Sequence, residues 1–185
     1  MRTTVVDEAD LRSAASRGDR EAFGQLAIAL APTARRVARG ILGSAEDADD
    51  AVQDALLSAW RAIDRYDPSR PFRPWLLRIV VNAATDALRR RTARRVVALA
   101  PDLPAGSPSP ERQAGRALLG DRLRAALATL PERQRTAVVL FDVEGWSHAE
   151  IADLLGVAEG TVRSDVFRAR RALRPELGPY AGETE

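Results

Sequence analysis

The sequence predicts an all-α protein of two small helical domains, joined by a linker rich in proline, serine and glycine, with a helix-turn-helix in the second domain. Three observations carry that expectation. Alanine and leucine abound within a 45% hydrophobic composition, and no segment shows strand-like alternation bounded by turns. Residues 100–110 hold four prolines, a glycine and two serines, a composition that cannot continue a helix and buries little surface. Residues 147–171 place a cap, a turn glycine and a second cap at the spacings of two crossing helices. The linker, residues 96–112, separates units over 8–95 and 113–177, each short enough to be a simple bundle around a small core.

In chain order, Asp19 opens a helix that runs to about Leu42 and ends at Gly43, with a kink or break expected at Pro32. Ser44 caps a second helix, with Asp47 three residues on, and Asp67-Pro68 stops it beyond Tyr66. After the turn-rich residues 67–74, a third helix runs from Trp75 to about Arg95. In the second unit, helices fit Arg112–Thr129, Glu132–Asp142, Ser147–Leu155 and Thr161–Leu173. No repeat of fixed period is visible.

Composition excludes several classes. Without cysteine there are no disulfides, thiolate metal sites or cysteine nucleophiles, and the single His148 argues against histidine-rich metal sites and a Ser–His–Asp arrangement. No apolar run approaches the roughly 20 residues that cross a bilayer, and Asp7, Glu8 and Asp10 do not open a signal peptide. A cytoplasmic protein with no cofactor, no metal, no catalytic residue and no membrane insertion is expected. All 28 basic residues are arginine, against 26 acids, so a net charge of only +2 coexists with a pI near 9.8. Arginine-only usage fits a GC-rich coding bias, because it extends to positions such as Arg12 and Arg112 for which the sequence suggests no role.

Charge is nevertheless sorted. Residues 46–54 carry only acids, whereas Arg89, Arg90, Arg91, Arg94 and Arg95 fall within seven residues. Five acids and no arginine lie between Asp142 and Glu159, before Arg163, Arg168, Arg170, Arg171 and Arg174. Such segregation suggests partners of opposite charge.

Within residues 147–171, Ser147 and Glu150 form a capping box, Ala152 admits a close helix crossing, Gly156 suits a positive φ, and Thr161 caps the next helix. Val162, Val166, Ala169 and Leu173 then recur as one buried stripe. Arg163, Ser164, Phe167, Arg168, Arg170 and Arg171 are left facing outward. Phe167 could contact thymine methyls and the arginines guanine edges or phosphates; the bland alternative is a solvated helix with Phe167 folded over the bundle.

In the second helix, Asp50, Gln53, Asp54, Leu57 and Arg61 share one face, opposite Ala51, Ala55 and Ala59. The carboxylates could bind a divalent cation, stand solvated, or dock on a basic protein surface. The third helix has an apolar stripe of Phe72, Trp75, Ile79 and Ala83, beside Leu76, Val80, Ala84 and Ala87. Much of this reads as core. Asn82 and Asp86 are polar exceptions ahead of the arginine cluster, where asparagine can read a base edge and arginines can track phosphates.

Three motifs in order carry a family resemblance over roughly residues 10–177. They are residues 49–60 (DDAVQDALLSAW), residues 75–82 (WLLRIVVN) with Asp86, Arg89 and Arg90, and residues 130–140 (LPERQRTAVVL) followed by the helix-turn-helix. Together they resemble bacterial RNA polymerase sigma factors of the extracytoplasmic-function (ECF) class. The resemblance implies an alternative sigma factor, not an enzyme, that binds core RNA polymerase at the β′ clamp helices and β flap and directs it to promoter DNA, both duplex and single-stranded. It implies polymerase contacts from Asp50, Gln53, Asp54 and Leu57, and minus-10 recognition and melting by Arg78, Asn82, Asp86, Arg89 and Arg90. The loop Ser69 to Arg73 would receive an unstacked base. Minus-35 contacts would come from Arg163, Ser164, Phe167, Arg168 and Arg171. Asp165 stands where the family is often basic, so it either points at a cytosine amino group or lowers affinity. An anti-sigma factor is a further implied partner. Two rivals remain: a stand-alone helix-turn-helix regulator, and a metal-dependent hydrolase using Asp47, Asp50 and Asp54.

Overall fold

A computed structural model describes residues 7–98 and 114–177, and among these the regular structure is entirely helical. Most of the linker thus lies outside the described residues. Helix α1 (Glu8–Ser16), unanticipated from the sequence, starts at an Asp7 cap and turns at Gly18 into α2 (Arg20–Leu42), capped by Asp19. Pro32 does not break α2. It sits on the exposed side one turn beyond Ile28, itself 75% exposed, so the carbonyl that loses its amide partner faces solvent. Gly43, at φ +76°, ends α2 and returns its N–H to the Arg39 carbonyl. Helix α3 (Ala45–Arg61) opens on the Ser44 hydroxyl, which accepts from the Asp47 N–H, and passes into a 3-10 turn at Ile63–Arg65.

Helix α4 (Phe72–Ala98) begins three residues before the expected Trp75, because the first turn has no use for the amide that Pro74 lacks. Helix α5 (Ala114–Thr129) precedes α6 (Glu132–Val138), which gives way to a wider π-helical turn over Val139–Val143 rather than running on to Asp142. Helix α7 (His148–Leu155) opens on the expected capping box. The Ser147 N–H donates to Glu150 Oε2 at 2.8 Å and the Glu150 N–H to Ser147 Oγ at 3.2 Å. Gly156 closes α7 at φ +65°, and α8 (Glu159–Leu177) starts before Thr161, which falls inside the first turn instead of capping it.

Helices α2, α3 and α4 pack on one another around Val37, Ile41, Leu42, Leu76, Leu77, Val80 and Val81. An aromatic cluster closes one end, with Phe72 edge-on to Phe23 and Tyr66 and 5.3 Å from Trp75. The expectation of two separate small cores is corrected here. Ala137, Leu140, Trp146, Ile151, Val162 and Val166 belong to the same buried cluster as the α2–α4 core. A smaller cluster joins Leu127 and Leu130 to Val138, Val139, Ala169 and Leu173. The seam is close: a Cβ on Gly40 would stand 2.9 Å from both methyls of Val139. It is also polar, since buried Arg135 donates to the Ile41 carbonyl at 2.8 Å; within the first unit, Arg91 donates to that of Leu42 at 2.9 Å. Two orphan carbonyls at the end of α2 thereby find cationic donors. Burial lowers the Arg135 pKa from its ordinary value.

Candidate nucleic-acid interface

The stripe Val162, Val166, Ala169 and Leu173 is buried, which rotates the opposite side of α8 into solvent. There Arg163, Ser164, Phe167, Arg168 and Arg171 together line a shallow concavity of about 500 Å³. Phe167 is 66% exposed at its centre, so the alternative in which it folds over the bundle does not hold. Ser164 donates to the Gly160 carbonyl at 3.0 Å, leaving its oxygen free to accept. Arg163 pairs with Glu159 one turn back at 2.7 Å, an exposed contact worth about 0.5 kcal/mol or less. Arg170, also exposed, is tethered by Asp142 and lies over the Phe141 ring, whose other neighbour is the stacked His148. Asp165 is corrected: it is 2% exposed and accepts from Arg133 Nε at 2.5 Å, a bond that raises the Arg133 pKa. It braces α8 from beneath and does not reach a base.

On α4, Asn82, Asp86, Arg89 and Arg90 are exposed in a row, and Arg78 lies one turn before them. Two of these cations already have partners across the seam. Arg78 donates to Asp153, and Arg89 donates twice to Glu132, at 2.8 and 3.2 Å, as well as lying 3.6 Å from Asp86. The Glu132 bond raises the Arg89 pKa. At the start of α4, Arg73 donates to the carboxylate and the carbonyl of Glu144, both at 3.1 Å. Arg36 reaches the same carboxylate at 2.7 Å, so the Glu144 side chain, 1% exposed, is clamped by two guanidinium groups of the α1–α4 unit. Hydrogen bonding to Glu144 raises the Arg36 pKa in turn.

The third surface is α3. Asp50, Gln53, Asp54 and Leu57 are all exposed. Gln53 and Leu57 rim a cavity of about 560 Å³, walled by Phe23, Val52, Leu56 and Trp60, with Arg20 above the Trp60 ring at 5.7 Å. This apolar floor is not legible from helical periodicity, although Phe23 and Trp60 stand as aromatics at helix positions. Among the described residues no three acidic or histidine side chains converge on one position, and Asp47 is paired with Arg91 at 2.7 Å. Nor is any helix among them long and apolar enough to cross a membrane.

Both units match known protein families. The family profile described as Sigma-70 region 2 matches residues 26–94, and that described as Sigma-70, region 4 matches residues 120–173. The ECF RNA polymerase sigma factor SigM of Mycobacterium tuberculosis is 42% identical over 171 residues, covering 92% of this chain and 85% of that protein. The ECF sigma factor SigE of Mycolicibacterium smegmatis is 41% identical over 152 residues; the match covers 80% of this chain but 59% of that relative. Among solved structures, the sigma factor RpoE from Bartonella quintana, crystallised with the anti-sigma factor NepR, aligns with a TM-score of 0.71 at 30% identity. That alignment covers 84% of this chain and 96% of RpoE.

Proposed function

The chain belongs to the sigma-70 family of RNA polymerase sigma factors, in its extracytoplasmic-function branch, as an alternative sigma factor for promoter-directed initiation, and we propose a division of labour among its helices. Asp50, Gln53, Asp54 and Leu57 on α3 dock on the β′ clamp helices of core polymerase, with the apolar cavity beside them taking a side chain of the partner. The second unit meets the β flap. Arg163, Ser164, Phe167, Arg168 and Arg171 enter the major groove of the minus-35 element, where Phe167 meets a thymine methyl and the arginines meet guanine edges and phosphates.

On α4, Asn82 reads the minus-10 strand, Asp86 orients Arg89, and Arg78, Arg89 and Arg90 hold the backbone. The loop Ser69 to Arg73 takes up an unstacked base, whose removal from the stack costs roughly a few kcal/mol, recovered through pocket and phosphate contacts. Catalysis belongs to the polymerase, and the chain works in the cytoplasm beside it. An anti-sigma factor that covers these faces is a partner of the same reading, as RpoE has in NepR.

The observation that carries this assignment is the gathering of all five α8 residues around one exposed concavity, on a chain whose acidic α3 face is separately open. Gel shift with and without core polymerase tests it. Sequence-selective binding should require the core enzyme, because two small, nearly neutral units reach useful affinity only when linked through it. Tight, selective duplex binding by the isolated chain would favour the stand-alone regulator. Asp54→Arg should weaken co-purification with core about tenfold, on the scale of one reversed interfacial charge; unchanged co-purification would remove α3 from the docking surface.

A further inference from the structure

Helix α1 lies ahead of the residues matched by the family profiles, and the sequence suggested no role for its Arg12. In the structure Arg12 leaves α1 to reach the loop between Tyr66 and α4. Its Nη1 donates to the Arg70 carbonyl at 2.8 Å, across 58 residues of sequence. The Tyr66 hydroxyl donates to that same carbonyl oxygen. The rest of the loop is self-braced. Asp67 Oδ1 accepts from the Ser69 N–H at 2.9 Å and from the Ser69 hydroxyl at 2.6 Å, and the Arg70 N–H closes a turn on the Asp67 carbonyl at 3.0 Å. Those bonds hold the Asp67 carboxylate below its ordinary pKa, while burial raises that of Tyr66 and keeps its phenol a donor.

Arg12 is costly for what it visibly returns in stability. Its side chain is mostly buried, and among the described residues its Nε finds no hydrogen-bond partner and its one carboxylate neighbour is Glu8 at 3.9 Å. A guanidinium withdrawn from water for one carbonyl bond and a place beside the Tyr66 hydroxyl contributes little net stability. What it does secure is shape. Two donors from different elements converge on one carbonyl at the tip of a loop whose Ser69, Arg70 and Pro71 remain exposed.

We infer that Arg12, with Tyr66, is a positioning residue for base capture, holding the loop of residues 67–71 in its receiving shape before the non-template strand arrives. The inference rests on the reading that this loop takes up the unstacked base. Preorganisation removes from the binding step the entropy of ordering the loop, so its loss weakens strand capture without touching the polymerase or minus-35 contacts.

The test uses holoenzyme reconstituted with core polymerase and a promoter fragment recovered by mapping its transcription starts, as duplex and with the non-template minus-10 segment single-stranded. Arg12→Gln should slow open-complex formation, read by permanganate reactivity, and weaken binding to the single-stranded form about tenfold, the scale of one charge-assisted hydrogen bond. Core association and the melting temperature should stay near wild type. Arg12→Lys should recover part of the loss, since an ammonium can still reach the carbonyl, and Tyr66→Phe should reproduce a smaller loss with the aromatic packing intact. Wild-type strand capture by Arg12→Gln, while the loop variant Ser69→Gly/Arg70→Gly is impaired, would overturn the inference and leave the loop's function standing. Unchanged capture by the loop variant would overturn both. An equal fall in core association, or a melting loss that accounts for the defect, would make Arg12 a structural brace only.

Discussion

On α8 the five residues proposed for the minus-35 element stand in solvent around Phe167, and among the described residues the one ion pair they make, Arg163 with Glu159, is local to the helix. On α4 the corresponding set is divided. Asn82 and Arg90 are exposed, and among the described residues Arg78 and Arg89 are held by Asp153 and Glu132 of the second unit. One of the two proposed nucleic-acid surfaces is exposed as folded, and the other is partly occupied by the chain's own acids. Both sets are arginine-rich in sequence, so the difference lies in what each helix packs beside. The seam that occupies α4 rests on the buried Glu144 carboxylate and on apolar contacts such as that of Val139 with Gly40.

The largest break in that comparison should come from the open surface. Arg163→Ala with Phe167→Ala removes contacts worth about 1–3 kcal/mol each, so promoter-selective initiation should fall about a hundredfold in transcription assays while co-purification with core is unchanged. Equal loss of both would show that α8 is not a separate DNA surface.

Glu144→Ala acts on the seam. Because Arg36 and Arg73 are about half exposed and can rehydrate, the loss should be about 1–3 kcal/mol, below that for a fully buried pair. Hydrogen exchange should then rise on both sides of the seam, and the isolated chain should gain single-stranded DNA binding through Arg78 and Arg89. Unchanged exchange would mean that apolar packing alone holds the units together.

Gly40→Ala wedges the same seam from α2. Overpacking of this kind costs about 1–3 kcal/mol, offset in part by the better helix propensity of alanine, so a net melting decrease smaller than that of Glu144→Ala is expected. An increase would show that Val139 yields freely. Asp153→Ala should have the smallest effect. It releases Arg78 from an exposed pair worth about 0.2–1 kcal/mol, so single-strand binding should rise by less than about fivefold at low salt, and the gain should fade as salt screens it.

Much of this was legible before folding. The capping box at Ser147 and Glu150, the left-handed Gly156 and the buried stripe of α8 follow from local chemistry, and local chemistry survives the fold. The same rules place Asp50, Gln53, Asp54 and Leu57 on one exposed face. What escaped is non-local. The run of acids after Asp142 read as a surface for a partner, yet Glu144 and Asp153 find theirs in Arg36, Arg73 and Arg78 of the same chain. Asp165 looked like an anomaly on a DNA-facing helix because its partner, Arg133, lies 32 residues earlier. Arg12 carried no signal at all, since its acceptor is a backbone carbonyl 58 residues away. Periodicity reports which face is buried, and not which element buries it.

The central claim is that this chain confers promoter choice on core polymerase through two separate DNA surfaces. Start-site mapping of transcripts made in vitro by core polymerase with and without the chain, on fragmented genomic DNA, tests it most directly. Discrete starts that depend on the chain and share two upstream elements at fixed spacing are expected, with the upstream one lost as a determinant in the Arg163→Ala/Phe167→Ala variant. Starts that are unchanged by adding the chain, or that share no upstream elements, would contradict it.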